Sequence, residues 1–267
     1  MKKYLSFFTI RLVNGLQYRA AAIAGIVTQF AWGGMTLLMF RAFYNYNLGA
    51  FPMTFPELSS YIWLQQAFLA LYMPWYFDND IFNAIVSGDI AYELCRPIDV
   101  YAMWFIKNAA VRLSRAILRC MPILIVAVFL PAPYTFSPPV SLLSGLMFLL
   151  SMILGFLVLI AFIMLIYITA FYTISPTGIR ILATSVIEFL TGAIIPLPFF
   201  PQGIQKIVYM LPFAYVQGTP FLIYNGFISG TEVLKSILLQ TFWFLLLMIS
   251  VKLLMKRALK KVVVQGG

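Results

Sequence analysis

Histidine is absent from this chain, and cysteine occurs only at positions 95 and 120. Without an imidazole there is no Ser-His-Asp triad, no histidine general base and little basis for a zinc site. Cys95 and Cys120 are not spaced as a metal pair, and they read as small buried residues. Acidic residues are scarce too: there are 8, and Asp78, Asp80, Asp89, Glu93 and Asp99 share one short stretch. No Gly-x-x-x-x-Gly-Lys-Ser/Thr pattern occurs, so any ATP hydrolysis must come from another polypeptide. No metal site and no cofactor are expected in the chain itself. Charged residues of all kinds make up 10%, against about a quarter in a soluble domain of similar size. A water-soluble globule is thereby excluded.

What the chain has instead is apolar surface. Hydrophobic residues reach 63%, aromatic residues 17%, and mean hydropathy is +0.95. Such a composition has the bilayer as its natural solvent, with Trp and Tyr at the interfaces. Crossing about 30 Å of hydrocarbon takes about 20 apolar residues. Residues 20–40 run free of charge between Arg19 and Arg41, and residues 58–77 between Glu57 and Asp78. The charge-free run from Cys120 to Ile179 is too long for one helix, and Pro131, Pro133, Pro138 and Pro139 divide it. The pattern predicts an all-α polytopic membrane protein, a single transmembrane domain with spans near 20–40, 58–77, 103–130, 140–172, 180–196 and 233–255.

Charge placement sets the orientation. Six spans put both termini on one side, and every Lys and Arg but Arg41, Lys206 and Lys235 falls on that side. Positive charge stays in the cytoplasm, so both termini are expected inside. Arg11 and Arg19 interrupt any apolar core that would make the start a signal peptide. Tyr4, Leu5, Phe8, Leu12 and Leu16 recur at helical spacing, which predicts an amphipathic helix over 1–19 on the cytoplasmic surface, or else an extended start to the first span. The net charge of +10 is not gathered on a soluble face, so lipids rather than nucleic acid are the expected contacts. The basic tail is expected to fray beyond Val264.

Two stretches depart from simple spanning. Residues 77–101 hold the five clustered acids. Residues 79–86 are expected to form a short amphipathic helix capped by Asp78 or Asn79 and ended at Ser87-Gly88. Asp89 is placed to cap a second helix reaching Leu94, stopped by Arg96-Pro97. Ile81, Phe82, Ile85 and Ile90 would lack an apolar home in a solvated loop, which favours docking to a soluble partner. Residues 192–232 carry prolines at 196, 198, 201, 212 and 220, yet are too apolar for an aqueous loop. The expected form is a re-entrant or outer-leaflet pair of small helices, either a gate for an amphiphile or a lid that only caps the bundle.

These stretches carry a family likeness. Ile85-Val86-Ser87-Gly88-Asp89-Ile90, then Leu94-Cys95-Arg96-Pro97-Ile98-Asp99, and later Gly192 to Pro196 to Pro201 before Leu211-Pro212-Phe213-Ala214-Tyr215, together resemble the ABC-2-type permeases, the membrane subunits of ABC exporters. The likeness covers essentially the whole chain. It implies a permease that pairs with an identical or homologous second permease and with cytosolic ABC ATPase subunits, which hold the ATP and Mg. It implies a bacterial cytoplasmic membrane location. The loop after the second span would be the coupling element the ATPase grips, through Asn79, Ile81, Phe82, Ile85, Ser87, Gly88, Asp89, Ile90, Glu93, Arg96 and Pro97. The first helix would touch the ATPase as well. The segment with Gly192, Pro196, Pro201, Pro212 and Phe213 would shape the outer end of the path.

The third span holds a row of charge. At 100° per residue, Asn108, Arg112, Arg115 and Arg119 fall within about 60° of arc. The row is either an electropositive vestibule for an anionic or zwitterionic headgroup, or a set of snorkelling and ion-paired side chains. Glu188, in the fifth span, is the intramembrane acid that could pair with it. A secondary carrier would rest on Glu188 alone, and a lipid-processing enzyme on Asp78, Asp80 and Asp89 without a metal-ligand partner.

Overall fold

Long charge-free runs become long helices, because a chain without water to bond must satisfy its own backbone. The computed structural model describes residues 2–46, 51–173 and 175–260, and every regular element among them is helical. In order they are α1 (Lys2–Leu16), α2 (Arg19–Tyr46), α3 (Phe55–Ala67), α4 (Leu69–Tyr72), α5 (Asn79–Ser87), α6 (Ile90–Leu94), α7 (Val100–Val128), α8 (Leu142–Thr169), α9 (Thr177–Leu190), α10 (Gln202–Val208), α11 (Gly218–Tyr224) and α12 (Thr231–Leu259). Three helical stretches, Arg19–Tyr46, Leu142–Tyr172 and Thr231–Leu259, are long and apolar enough to cross a membrane. The fraying expected past Val264 lies outside the described residues.

Three expected spans come out differently. The helix over 103–130, α7, is long enough but carries Lys107, Arg112, Arg115 and Arg119, and is not among those apolar enough to cross. The run 58–77 turns at Phe68 and its helix ends at Tyr72. The run 180–196 stops at Leu190 after 14 residues, a rise of about 21 Å and too short to span hydrocarbon. Beyond it the chain is irregular, with Gly192 at φ 78°, a conformation that excludes a β-carbon at low cost.

The bundle has two ends. A near end carries α1, α5, α6, the start of α7 and the end of α12. A far end carries the starts of α3, α8 and α12. Between them α3 and α8 are the central staves: nearly every residue of α3 is buried, as is most of the second half of α8. α2 and α12, by contrast, bury one stripe each and leave Val27, Trp32, Leu38, Leu238 and Ile249 exposed, the pattern of helices facing lipid. Gly33 lets α2 lie close on α3, since a β-carbon there would stand 3.0 Å from the Trp63 ring.

α1 is a helix of its own, parted from α2 at Gln17 and Tyr18. Lys3 Nζ donates to Pro97 O at 2.6 Å, and Gly15 abuts Ser114. Contacts at both ends therefore run α1 alongside the first half of α7, in the same direction. Its inward side is Tyr4, Phe7, Phe8, Arg11, Leu12, Gly15 and Leu16, a regular helical stripe. Of the expected apolar stripe, Tyr4, Phe8, Leu12 and Leu16 lie on this side, while Leu5 is 68% exposed.

The segment between α9 and α12 dips into the bundle. Tyr61 Oη donates to Gly192 O at 3.1 Å, and Gln65 donates to Ala193 O. Gln240 Nε2 donates to Tyr215 O at 2.9 Å and to Ser151 O at 3.1 Å. Tyr61 lies about 9 Å into α3 from the far end, and Gln240 about 14 Å into α12. Irregular backbone at such depth needs protein donors, and these buried side chains are the donors.

Candidate functional site

At the near end the chain leaves α4, turns, and folds α5 and α6 back onto the first turns of α7. Local chemistry explains the hairpin. Asp78 caps α5, its Oδ1 accepting from Asp80 N at 3.1 Å, and Gly88 closes it at φ 81°. Asp89 stands at the start of α6 without capping it. Its carboxylate is taken by Ser87 Oγ at 2.7 Å.

Three clamps hold the hairpin to the bundle. Lys107 Nζ on α7 lies 2.6 Å from Asp78 and 3.3 Å from Asp80, with the Lys107 and Asp78 side chains mostly buried. Trp104 Nε1 donates to Glu93 at 2.7 Å. Arg180 on α9 donates to Asn79 Oδ1 at 3.1 Å and lies over the rings of Phe77 and Phe82. Behind them Tyr167 of α8 accepts from Asp78 N at 2.7 Å and donates to Asn108 at 3.3 Å. The hairpin is thus tied to α7, α8 and α9 at once. Sequence reading missed Lys107, Trp104, Tyr167 and Arg180 as partners, because each belongs to a different helix from the residue it holds.

The apolar residues of the hairpin have a home after all. Ile81, Phe82 and Ile90 are buried in the protein's own core and Ile85 packs against it, so they do not of themselves call for a docked partner. The outward surface is Val86 at 58% exposure, Tyr92 at 75% and Leu94, with Asn79, Ser87, Asp89, Arg96 and Pro97 also outward. Glu93 is half-buried and faces α7. Cys95 is exposed and Cys120 intermediate, which corrects the expectation of two buried thiols.

The arginine row divides. Arg112 is fully buried and its guanidinium donates to the carbonyls of Met73 at 2.6 Å, Tyr76 at 2.7 Å and Leu71 at 3.4 Å. It closes the open carbonyl end of α4. Arg115 stacks on Tyr76, 4.0 Å from the ring centre, and Arg119 donates to Ala21 O at 3.3 Å. Both border a cleft of about 580 Å³ between α1, α2 and α7. Glu188 makes no ion pair with them: among the described residues the carboxylates in ion pairs are Asp78, Asp80 and Glu232.

At the far end a cavity of about 650 Å³ is lined by Gln202, Lys206, Tyr209, Tyr215, Glu232 and Lys235, among others. Gly192, Pro196, Pro201, Pro212 and Phe213 do not border it. Gly192, Pro196 and Pro212 are buried, Pro201 is exposed, and Phe213 packs edge-on against Phe162.

A near-end hairpin clamped to three helices and a far-end segment that re-enters the bundle are the two departures from simple spanning. A comparison with curated proteins returned no match. The family described as ABC-2 family transporter protein matches residues 23–266, so nearly the whole chain is accounted for, hairpin and re-entrant segment included. The chain belongs to the ABC-2 family of transporter proteins.

Proposed function

We propose that this chain is the permease subunit of an ATP-driven exporter, moving an amphiphilic or small solute across the bacterial cytoplasmic membrane by the work of separate cytosolic ATPase subunits, which hold the ATP and Mg. The chain crosses the membrane six times with both termini inside: α2, α3 with α4, α7, α8, α9 completed by the re-entrant segment, and α12. The distribution of charge supports this, since Arg41, Lys206 and Lys235 lie at the far end and the other described Lys and Arg at the near end.

The observation that carries the reading is the threefold anchoring of the α5–α6 hairpin. A push on its exposed face moves α7, α8 and α9 together, because each is bonded to it. Val86, Tyr92 and Leu94 form the apolar centre of that face, and Asp89 and Arg96 its polar edge. A second permease subunit covers α9, which buries only Ile187 in its own chain and leaves Ile181, Leu182 and Phe189 exposed.

Mild-detergent purification with the co-expressed ATPase tests the reading. The complex should hydrolyse ATP, and Tyr92→Asp with Val86→Asp should release the ATPase while the permease still elutes as a folded species. An active transporter lacking any ATPase, or undiminished binding in that double variant, would sink it.

A further inference from the structure

The cleft between α1, α2 and α7 is lined by Arg11, Arg115 and Arg119 together with Asn14, Tyr18 and Lys107. Its two carboxylates, Asp78 and Asp80, are both taken by Lys107. The three arginines have no carboxylate partner among the described residues. Arg11 lies over Phe7 at 5.2 Å, Arg115 over Tyr76 at 4.0 Å, and the Nε of Arg119 is buried without an acceptor. The fold makes room for this charge. A β-carbon at Gly25 would stand 2.5 Å from Arg119 Cζ, so only glycine lets that guanidinium lie against α2. Three guanidiniums converging on one cleft, two of them braced by aromatic rings, form an unanswered positive charge at the inner membrane boundary.

We infer that this cleft binds the phosphate of an anionic lipid headgroup from the inner leaflet. Arginine forks match phosphate oxygens, and basic pockets between helices on the cytoplasmic side hold anionic headgroups. A lipid suits the site better than free phosphate. Ile23 and Val27 of α2 are 63% and 64% exposed along the helix that walls the cleft, a surface for the acyl chains. Asn14 and Tyr18 supply neutral polar groups at the rim. The bound lipid would offset part of this charge and pin α1 against α7.

The test uses the full chain in neutral detergent, with micelles doped with phosphatidylglycerol or phosphatidylcholine, or with inorganic phosphate added. Native mass spectrometry and the thermal unfolding midpoint are the readouts. Phosphatidylglycerol should remain as a single adduct and raise the midpoint, and phosphatidylcholine should do neither. Arg11→Gln with Arg115→Gln should weaken retention by about tenfold or more, as losing charge-assisted bonds implies. Arg11→Gln alone, which leaves the Arg115 stack on Tyr76 intact, should weaken it in the same direction. Lys256→Gln with Arg257→Gln, at the far end of the sequence, should leave it unchanged. Equal retention in wild type and double variant overturns the site. Equal loss in the Lys256 and Arg257 variant reduces it to general charge, and equal protection by inorganic phosphate overturns the lipid assignment.

Discussion

Arg112 carries a charge that meets no carboxylate, and backbone carbonyls answer it instead, although its Nε stays without a partner among the described residues. Its fork bonds the carbonyls of Leu71, Met73 and Tyr76, groups a helix end leaves open. Arg112→Met retains much of the volume but strands those acceptors, with an expected loss of about 2–4 kcal/mol, read as a lower unfolding midpoint in detergent. Arg112→Lys should restore only part of it, because a compact ammonium cannot span the acceptors as the planar fork does. An unchanged midpoint in Arg112→Met would assign the charge another task. Gly155 makes the converse case. A β-carbon there would stand 2.0 Å from Val216 O, so Gly155→Ala must part α8 from the re-entrant backbone. Folded yield should fall for Gly155→Ala and hold for Gly34→Ala, which meets open space.

At the scale of elements, the hairpin of α5 and α6 is where force would enter. Trp104→Phe removes the bond to Glu93 together with part of the buried indole. Glu93→Gln, which keeps the indole and a neutral acceptor, separates the two effects. Lys107→Met frees Asp78 and Asp80. In a reconstituted transporter Trp104→Phe and Lys107→Met should both leave ATP hydrolysis active and depress transport. Asp78→Asn with Lys107→Met should stand nearer to wild type than Lys107→Met alone, since an unpaired buried charge is worse than none. Equal coupling in all of these would place the transmission path elsewhere. Gly88→Ala tests the hinge between the helices. Nothing lies within 4 Å of the added carbon, so the expected cost of about 1 kcal/mol is conformational alone. Gly88→Asn should cost less, because asparagine tolerates the left-handed region.

For the whole molecule the question is which end faces the cytoplasm. Cys95 is exposed at the near end, and Cys120 lies in α7. In a Cys120→Ser background, a membrane-impermeant maleimide should label Cys95 in inverted vesicles and not in intact cells. Ser229→Cys with Cys95→Ser, at the far-end cavity, should give the opposite pattern. Labelling of both from one side would overturn the six-span arrangement with both termini inside.

Much of this was legible from residues alone, for a local reason. Helix existence follows from hydropathy and helix ends from capping chemistry, so α2, α8, α12, Asp78 as a cap and Gly88 as a stop could be read without a fold. Prolines announced that residues 192–232 would not be one helix. The family resemblance, too, could be read from short motifs within single segments. What the tertiary structure decided is pairing across distance. Ile81, Phe82 and Ile90 proved to be core rather than docking surface, because the hairpin folds back on α7. Arg112 proved to be a helix cap, since its acceptors lie some forty residues earlier. Among the described residues Glu188 makes no ion pair with the arginine row, a matter of packing that no helical wheel shows. A helical wheel tells which side chains share a face, but only packing tells what that face meets.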